Sequence, residues 1–217
     1  MSVEGVSEKF DVKRFLAARV RAWEFLDELA SFVRPGHTTA DVSAELKQLL
    51  KRAGVAKQWH PPQLRLGRDT MCPFNADPVA DEALRENDVF FLDLGLLIDG
   101  HETDVGKTFV LGEYDDANAC AQAAEEVHRE GVAYWRRTKC SGVELYRFAK
   151  ERAAARGFEL SLDGASGHRL GDFPHHVFSR LHLRKWEAPI APERWVFEVH
   201  LIDPRWRFGA FYEDLLA

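Results

Sequence analysis

The feature that most constrains the fold is a carboxylate in the middle of a strongly apolar stretch. Residues 88–112 contain two apolar segments joined by an Asp-Gly pair at 99–100, a hairpin turn signal, so they predict two antiparallel strands. Asp93 lies in the first segment and Asp104 in the second. Because an isolated buried charge is costly, two acids facing each other across a hairpin predict a metal cation between them.

A simpler interpretation is open at this point. Asp93 can also be a strand-end residue that pairs with Lys107 or with a backbone amide. The hairpin alone does not separate the two possibilities, and the second half of the chain is needed to decide between them.

Composition and charge exclude several classes of partner. The chain has 217 residues and a net charge of −6 with scattered lysine and arginine, which argues against nucleic acid and anionic membranes as main partners. No apolar run approaches the length of a membrane span, and the charged N-terminus lacks an apolar signal core. Three widely spaced cysteines predict no disulfide framework. We therefore expect a cytoplasmic protein.

The chain contains a weak internal repeat. Each half has a long amphipathic helix, then a capped helix of about four turns that ends near a glycine, and then strands. The capped helices start at Thr38 and Ser141, and the strands of the second half are predicted at 158–162, 194–201 and 208–215. Two matching halves predict one pseudo-two-fold α+β domain over residues 1–217, with helices outside and strands inside.

A second cluster of candidate site residues lies in the C-terminal third. His168 occupies a glycine-rich turn, and His175 and His176 follow it. Glu198 and Glu213 are carboxylates in two further apolar strands. Taken singly, such a histidine is more often a turn residue, and such a glutamate is usually a solvated strand end. Together with the hairpin acids they place one inward acid on each of four strands, which the simpler interpretation explains poorly.

The charge of this set indicates how many metal ions it would hold. Four carboxylates carry −4 and two divalent cations carry +4, so a bridging hydroxide leaves the centre near −1, whereas a single ion leaves an excess of buried acid. Four carboxylates and one neutral imidazole suit Mn²⁺, Co²⁺, Fe²⁺ or Zn²⁺. Paired ions about 3.5–4 Å apart can share a water, lower its pKa and polarise a carbonyl.

These motifs resemble those of the pita-bread metallohydrolases, the family of methionine aminopeptidase, aminopeptidase P, prolidase and creatinase. The resemblance runs from about Arg14 to Leu216. It rests on Leu92-Asp93-Leu94-Gly95 with Asp104 before Lys107-Thr108-Phe109, on Gly167-His168-Arg169-Leu170-Gly171 followed by His175, on Phe197-Glu198-Val199 and on Tyr212-Glu213-Asp214. It implies the pita-bread fold, in which helices lie outside a curved antiparallel sheet.

The resemblance also implies a role for each predicted ligand. Asp93, Asp104 and Glu213 would hold one metal ion, and His168 and Glu198 would complete the other, with Asp104 and Glu213 bridging the pair. Glu198 would in addition take the proton of the bridging water as it attacks.

Substrate handling is where the chain departs from the family pattern. The resemblance implies that His175 hydrogen-bonds the substrate or the tetrahedral intermediate, with His176 as a second candidate. Asn75 stands where a substrate-handling histidine is usual, and an amide donates a hydrogen bond but cannot shuttle a proton. Phe211 and Lys107 each replace a common arginine. The metal centre is therefore expected to be intact, and the specificity residues altered.

Three functions are compatible with this sequence. The leading hypothesis is a two-metal aminopeptidase or dipeptidase that cleaves short peptides, with Xaa-Pro bonds favoured. The alternatives are a creatinase-like non-peptide C–N hydrolase or lyase, and a non-catalytic peptide-binding module. Metal content and metal-dependent turnover of dipeptides discriminate them, and protein without divalent metal would favour the binding module. The separate N-terminal domain of aminopeptidase P is missing from the predicted organisation, so a homodimer is a further hypothesis for covering the pocket mouth.

Overall fold

The second helix of the first half begins at its predicted cap. The computed structural model describes residues 3–74, 76–77, 82–174, 179–205 and 207–217. Helix α1 spans Val12–Phe32, and helix α2 spans Thr39–Arg52. Thr38 and Asp41 form the expected capping box, in which each side chain accepts a hydrogen bond from the other residue's backbone N–H. The short connection after α1 therefore fixes where α2 starts.

The helices of the second half repeat this arrangement. Helix α3 spans Asp115–Thr138 and helix α4 spans Gly142–Ala155. Ser141 and Glu144 form a second capping box at the start of α4, as the sequence predicts. Among the helices of the described residues, none combines the length and the hydrophobicity that a bilayer span requires.

The described strands form one seven-stranded sheet, and every pairing in it is antiparallel. They are β1 Gln63–Leu66, β2 Asp88–Ile98, β3 His101–Leu111, β4 Glu159–Ser161, β5 His168–Arg169, β6 Trp195–Ile202 and β7 Gly209–Leu215. Their order is β1-β2-β3-β7-β6-β4, and β5 pairs with β6. The predicted hairpin is confirmed, because Asp99 and Gly100 adopt φ values of 51° and 79° between β2 and β3.

Each half has its own helix-covered core on one face of this sheet. Leu92, Leu94 and Leu96 of β2 are buried in a cluster with the apolar faces of α1 and α2. Phe197 and Val199 of β6 are buried in a second cluster with α3 and α4. Because side chains alternate along a strand, the residues between these positions point to the face away from the helices. The structure thus confirms an α+β fold with helices outside the sheet.

Candidate metal centre

The strand register alone brings the four predicted acids to one place. Asp93 lies opposite Gly106 across β2 and β3, and Gly106 lies opposite Glu213 across β3 and β7. Glu213 in turn lies opposite Glu198 across β7 and β6. Asp104 precedes Gly106 by two positions, so it is on the same face of β3. One acid from each of four neighbouring strands therefore faces the same space.

These four carboxylates are buried, and none is more than 6% exposed. Gly106 at their centre gives them room, because a Cβ there would lie 2.8 Å from Glu213 Oε1. Asp93 Oδ1 and Glu213 Oε1 are buried without a hydrogen-bond partner among the described residues. Buried acceptors without donors are costly, so this arrangement calls for a cation or for bound protons.

The simpler interpretation of Asp93, a pair with Lys107, is wrong. Lys107 lies opposite Leu92 in the neighbouring strand, on the helix-covered face, whereas Asp93 faces the other way. The Lys107 ammonium lies 3.4 Å from Glu125 on α3. Lys107 therefore does not neutralise this acid.

His168 joins the acids from the strand next to β6, as the sequence predicts. Its Nε2 lies 3.0 Å from Asp104 Oδ2 and 3.7 Å from Glu198 Oε1. Its Nδ1 lies 3.0 Å from the carbonyl oxygen of Arg169, which can only accept, so Nδ1 carries the hydrogen. The other Glu198 oxygen accepts a hydrogen bond from the Gly167 N–H at 2.6 Å. Both side chains are therefore held in place by the backbone.

A second imidazole, which the sequence analysis did not select, lies in the same centre. His60 Nε2 is 3.1 Å from Asp104 Oδ1 and 3.7 Å from Asp93 Oδ1. The residue occupies an extended segment before Pro61 and β1, with no spacing that marks a ligand. The one available signal is a histidine next to consecutive prolines just ahead of a short strand, which is too common a pattern to single it out.

The acids and imidazoles shift one another's pKa values. Burial by itself lowers the pKa of His60, but the carboxylates of Asp104 and Asp93 outweigh it and raise that pKa to about 10. Burial also lowers the pKa of His168, and the hydrogen bond with Asp104 reverses this and raises it to about 9. Burial, reinforced by the neighbouring acids, raises the pKa of Glu213 well above its usual value. Divalent cations can replace the protons held in this way.

The remaining predicted site residues divide into two groups. His175, His176 and Asn75 lie outside the described residues. Phe211 is buried with its ring centroid 5.1 Å from that of Phe91, and its Cε1 would lie 2.6 Å from a Cβ added at Gly106. An aromatic ring therefore lies beside the centre at the position where the resemblance leads one to expect an arginine.

The acids open onto a cavity of about 520 Å³. Its lining includes Asp93, Asp104 and Glu198, the aromatic rings of Trp59 and Phe74, the basic side chains of Arg180 and Arg184, and the imidazole of His182. The cavity thus combines an acidic floor, apolar walls and basic groups, and it is large enough for a small organic molecule.

Comparison with known proteins identifies the family. The sequence matches the profile of metallopeptidase family M24 over residues 14–217. The chain belongs to this family. It is 22% identical, over 146 residues, to a candidate Xaa-Pro aminopeptidase of Mycoplasma pneumoniae, a match that covers 66% of this chain and 41% of that protein. Membership in the M24 family confirms the resemblance drawn from the acid and histidine motifs.

Solved structures confirm the pita-bread fold of this M24 member. The prolidase from Pyrococcus horikoshii is similar with a TM-score of 0.75 and 19% identity, over 96% of this chain and 59% of that one. The X-Pro aminopeptidase from Thermotoga maritima is similar with a TM-score of 0.75 and 15% identity, over 98% of this chain and 61% of that one. The chain thus spans less than two thirds of each of these relatives.

The side chains of this M24 member fit divalent metal ions. Two groups, each with ligand atoms within 4.8 Å of one another, are His60 with Asp93 and Asp104, and Asp104 with His168 and Glu213. Asp104 belongs to both groups, as expected of a bridging ligand. Carboxylate and imidazole are also the ligand types that Mn²⁺, Co²⁺, Fe²⁺ and Zn²⁺ accept.

Proposed function

We propose that the chain is a metal-dependent peptidase that uses two divalent ions, Mn²⁺, Co²⁺, Zn²⁺ or Fe²⁺, to cleave short peptides. The observation that carries this proposal is the convergence of four buried carboxylates and His168, of which Asp93, Asp104, Glu198 and His168 line one cavity. Membership in a metallopeptidase family supports the reaction class. Xaa-Pro bonds are the favoured substrate, because similar structures are named prolidase and X-Pro aminopeptidase.

Each acid has a proposed task in this reaction. Asp93, Asp104 and Glu213 would hold one ion, and His168 and Glu198 would complete the other, with Asp104 and Glu213 proposed as shared ligands. When bound, the ions supply an activated water and polarise the scissile carbonyl. Glu198 is the proposed base, because the Gly167 N–H fixes one of its oxygens and leaves the other facing His168. In the metal-free protein, burial raises the pKa of the Glu198 carboxyl.

The cavity supports a short substrate rather than a protein. Arg180 and Arg184 line it together with the acids, and a guanidinium is a good partner for the free carboxylate of a dipeptide. Trp59 and Phe74 provide apolar surface for a proline ring or another side chain. His175, His176 and Asn75 stay predicted substrate contacts. A homodimer and a cytoplasmic location also stay predictions.

A substrate screen tests the proposal. The purified protein, loaded in parallel with Mn²⁺, Co²⁺ or Zn²⁺, is incubated with Xaa-Pro dipeptides, other dipeptides and creatine. Turnover of Xaa-Pro dipeptides that requires the metal is the expected result. The Glu198→Gln variant is the matched comparison, since the amide keeps the shape and cannot accept the proton. It should lose about 10²- to 10⁴-fold in turnover.

Three outcomes would change the assignment. Protein that takes up no divalent metal would leave the peptide-binding module as the better description. Turnover of creatine but of no dipeptide would favour the non-peptide C–N hydrolase. Equal turnover by the wild type and Glu198→Gln would remove Glu198 from proton transfer.

A further inference from the structure

His60 is a partly buried imidazole in the acidic centre that the proposed roles leave unused. Its side chain is 12% exposed, and its Nε2 points at two of the four acids. The proposed ligand set contains a single imidazole, His168. The chain therefore carries one more nitrogen donor at this centre than the predicted function requires.

The Nε2 atoms of His60 and His168 make the same kinds of contact with the acids. Each Nε2 lies close to a different oxygen of Asp104, at 3.1 Å for His60 and 3.0 Å for His168. Each Nε2 also lies 3.7 Å from one further carboxylate oxygen. That oxygen belongs to Asp93 for His60 and to Glu198 for His168. The two rings thus flank one carboxylate from opposite ends.

The second nitrogen of each ring is anchored in the same way. His60 Nδ1 lies 2.8 Å from the carbonyl oxygen of Pro61, and His168 Nδ1 lies 3.0 Å from that of Arg169. A carbonyl oxygen only accepts, so each Nδ1 carries a hydrogen and each Nε2 is directed at the acids. Metal-binding histidines characteristically donate their other ring N–H to such an acceptor, which fixes ring orientation.

The backbone makes room for the His60 ring. A Cβ added at Gly95 would lie 1.9 Å from His60 Cδ2 and 2.0 Å from Nε2, so the imidazole occupies the space that a side chain would need. The Trp59 N–H donates to the Gly95 carbonyl oxygen at 3.0 Å, which fixes the segment against β2. The Trp59 ring lies 4.3 Å from the His60 ring and 5.3 Å from the His168 ring. The position of the His60 ring is therefore fixed by the open space at Gly95 and by the contacts of Trp59.

The distances suit a shared ion. Two ligand atoms bound at about 2.1 Å, with an angle of about 90–120° between them, lie about 3.0–3.6 Å apart. His60 Nε2 is 3.1 Å from Asp104 Oδ1 and 3.7 Å from Asp93 Oδ1, close to this range. Small adjustments would bring all three atoms onto one cation.

We propose that His60 is a metal ligand, grouped with Asp93 and Asp104, so that the centre offers one imidazole to each of two ions. This inference rests on the proposed function, because it assumes that metal binds here. It also predicts a metal preference. Imidazole suits Co²⁺ and Zn²⁺ better than Mn²⁺, so the second ring shifts the centre toward the former ions.

Metal titration of His60→Ala tests the inference. Calorimetric titration of the metal-free protein with Co²⁺ should show two binding events in the wild type, and His60→Ala should weaken one of them by about 10²-fold or more. The loss should be smaller with Mn²⁺. His182→Ala is the matched control, because His182 lines the same cavity but its Nδ1 lies 3.0 Å from Ser166 Oγ, and no ion pair joins it to the acids in the described part of the chain.

Proton NMR of the Co²⁺ protein counts the bound rings directly. A cobalt-bound imidazole whose Nδ1 carries a hydrogen gives a strongly shifted exchangeable resonance. We expect two such resonances in the wild type and in His182→Ala, and one in His60→Ala. Gly95→Ala, which displaces the ring without removing it, should behave like His60→Ala, while circular dichroism verifies that each variant is folded.

The outcomes separate this inference from the proposed function. Wild-type protein that binds metal and cleaves dipeptides, with unchanged affinities and resonances in His60→Ala, would overturn the His60 assignment alone. Higher metal uptake by His60→Ala than by the wild type would also overturn it. Such a result would mean that a protonated His60 ring neutralises the acids in place of a metal ion. Failure of the wild type to bind any metal would remove both the inference and the proposed function.

Discussion

Two pairs of histidines in this molecule have opposite electrostatic environments. His60 and His168 lie among carboxylates, and their pKa values are raised to about 10 and about 9. His128 on α3 and His200 on β6 pack mainly against aromatic and backbone groups. Burial lowers both pKa values to about 4, and at His128 it outweighs the nearby Asp214 carboxylate, which is paired with Arg19. Burial opposes the charged ring in all four, so the neighbours decide the outcome.

The contacts of each ring explain why the two pairs of histidines differ in pKa. The His128 ring stacks on Phe197 at 5.1 Å and lies 4.8 Å from Tyr212, as part of the second-half core. The His200 Nε2–H donates to the Thr70 carbonyl oxygen at 2.8 Å. These rings fill space and stay neutral. The rings beside Asp104 instead hold protons that a cation can displace, so the comparison distinguishes packing imidazoles from imidazoles that can bind metal.

The largest expected effect concerns Asp104, the carboxylate that both His60 and His168 contact and that the packing histidines lack. Asp104→Asn removes the carboxylate that both imidazoles contact, so metal uptake at both subsites should be abolished. Metal analysis after dialysis measures this. Asp214→Asn is the control, because Asp214 is equally buried on the same sheet but pairs with Arg19, away from the centre. It should keep the metal, whereas normal stoichiometry in Asp104→Asn would contradict the bridging role.

The four acids are predictable because each contradicts its surroundings, whereas His168 is recognised only through the glycine-rich motif at 167–171. An acid in an apolar strand is an anomaly that local sequence displays, and Asp93, Asp104, Glu198 and Glu213 are four such anomalies on one face of adjacent strands. The capping boxes are likewise local, so the starts of α2 and α4 follow from spacing.

His60 is not predictable in this way. Its place in the centre depends on the bridge between Gln58 and Leu96 and on the missing side chain of Gly95, both of which are tertiary facts. The alternation that identifies inward residues applies to strands, and His60 lies outside any strand. Long-range pairing of β3 with β7 is also invisible to local pattern, although the internal repeat hints at it.

A smaller effect concerns the metal-free protein. The pKa of Glu213 is raised by burial and by its acidic neighbours, so the carboxyl reduces stability as the pH rises above the usual value of 4.5. Glu213→Gln removes this titration and should raise the unfolding free energy at pH 7 by about 1–3 kcal/mol. Urea denaturation in the presence of a chelator measures it.

The same variant should lose its advantage when metal is present. Saturating Mn²⁺ stabilises the wild type by mass action, and Glu213→Gln, which lacks one ligand, should gain less. A reversal of the stability order between chelator and metal is therefore expected. Equal unfolding free energies of the two proteins in chelator would show that the Glu213 carboxyl does not destabilise the metal-free protein.

The smallest effect tests the packing imidazoles. The folded-state pKa of His128, about 4, is below its usual value of 6.5, so the stability that the neutral ring contributes is present above pH 6.5 and is lost as the pH falls toward 4. The slope is about 1.4 kcal/mol per pH unit, or about 2 kcal/mol between pH 7 and pH 5. His128→Gln should lack this share of the acid sensitivity in urea denaturation at the two pH values. If both proteins lose the same free energy, the aromatic core does not exclude the charged ring, and the contrast between the two pairs of histidines would then rest on the carboxylates alone.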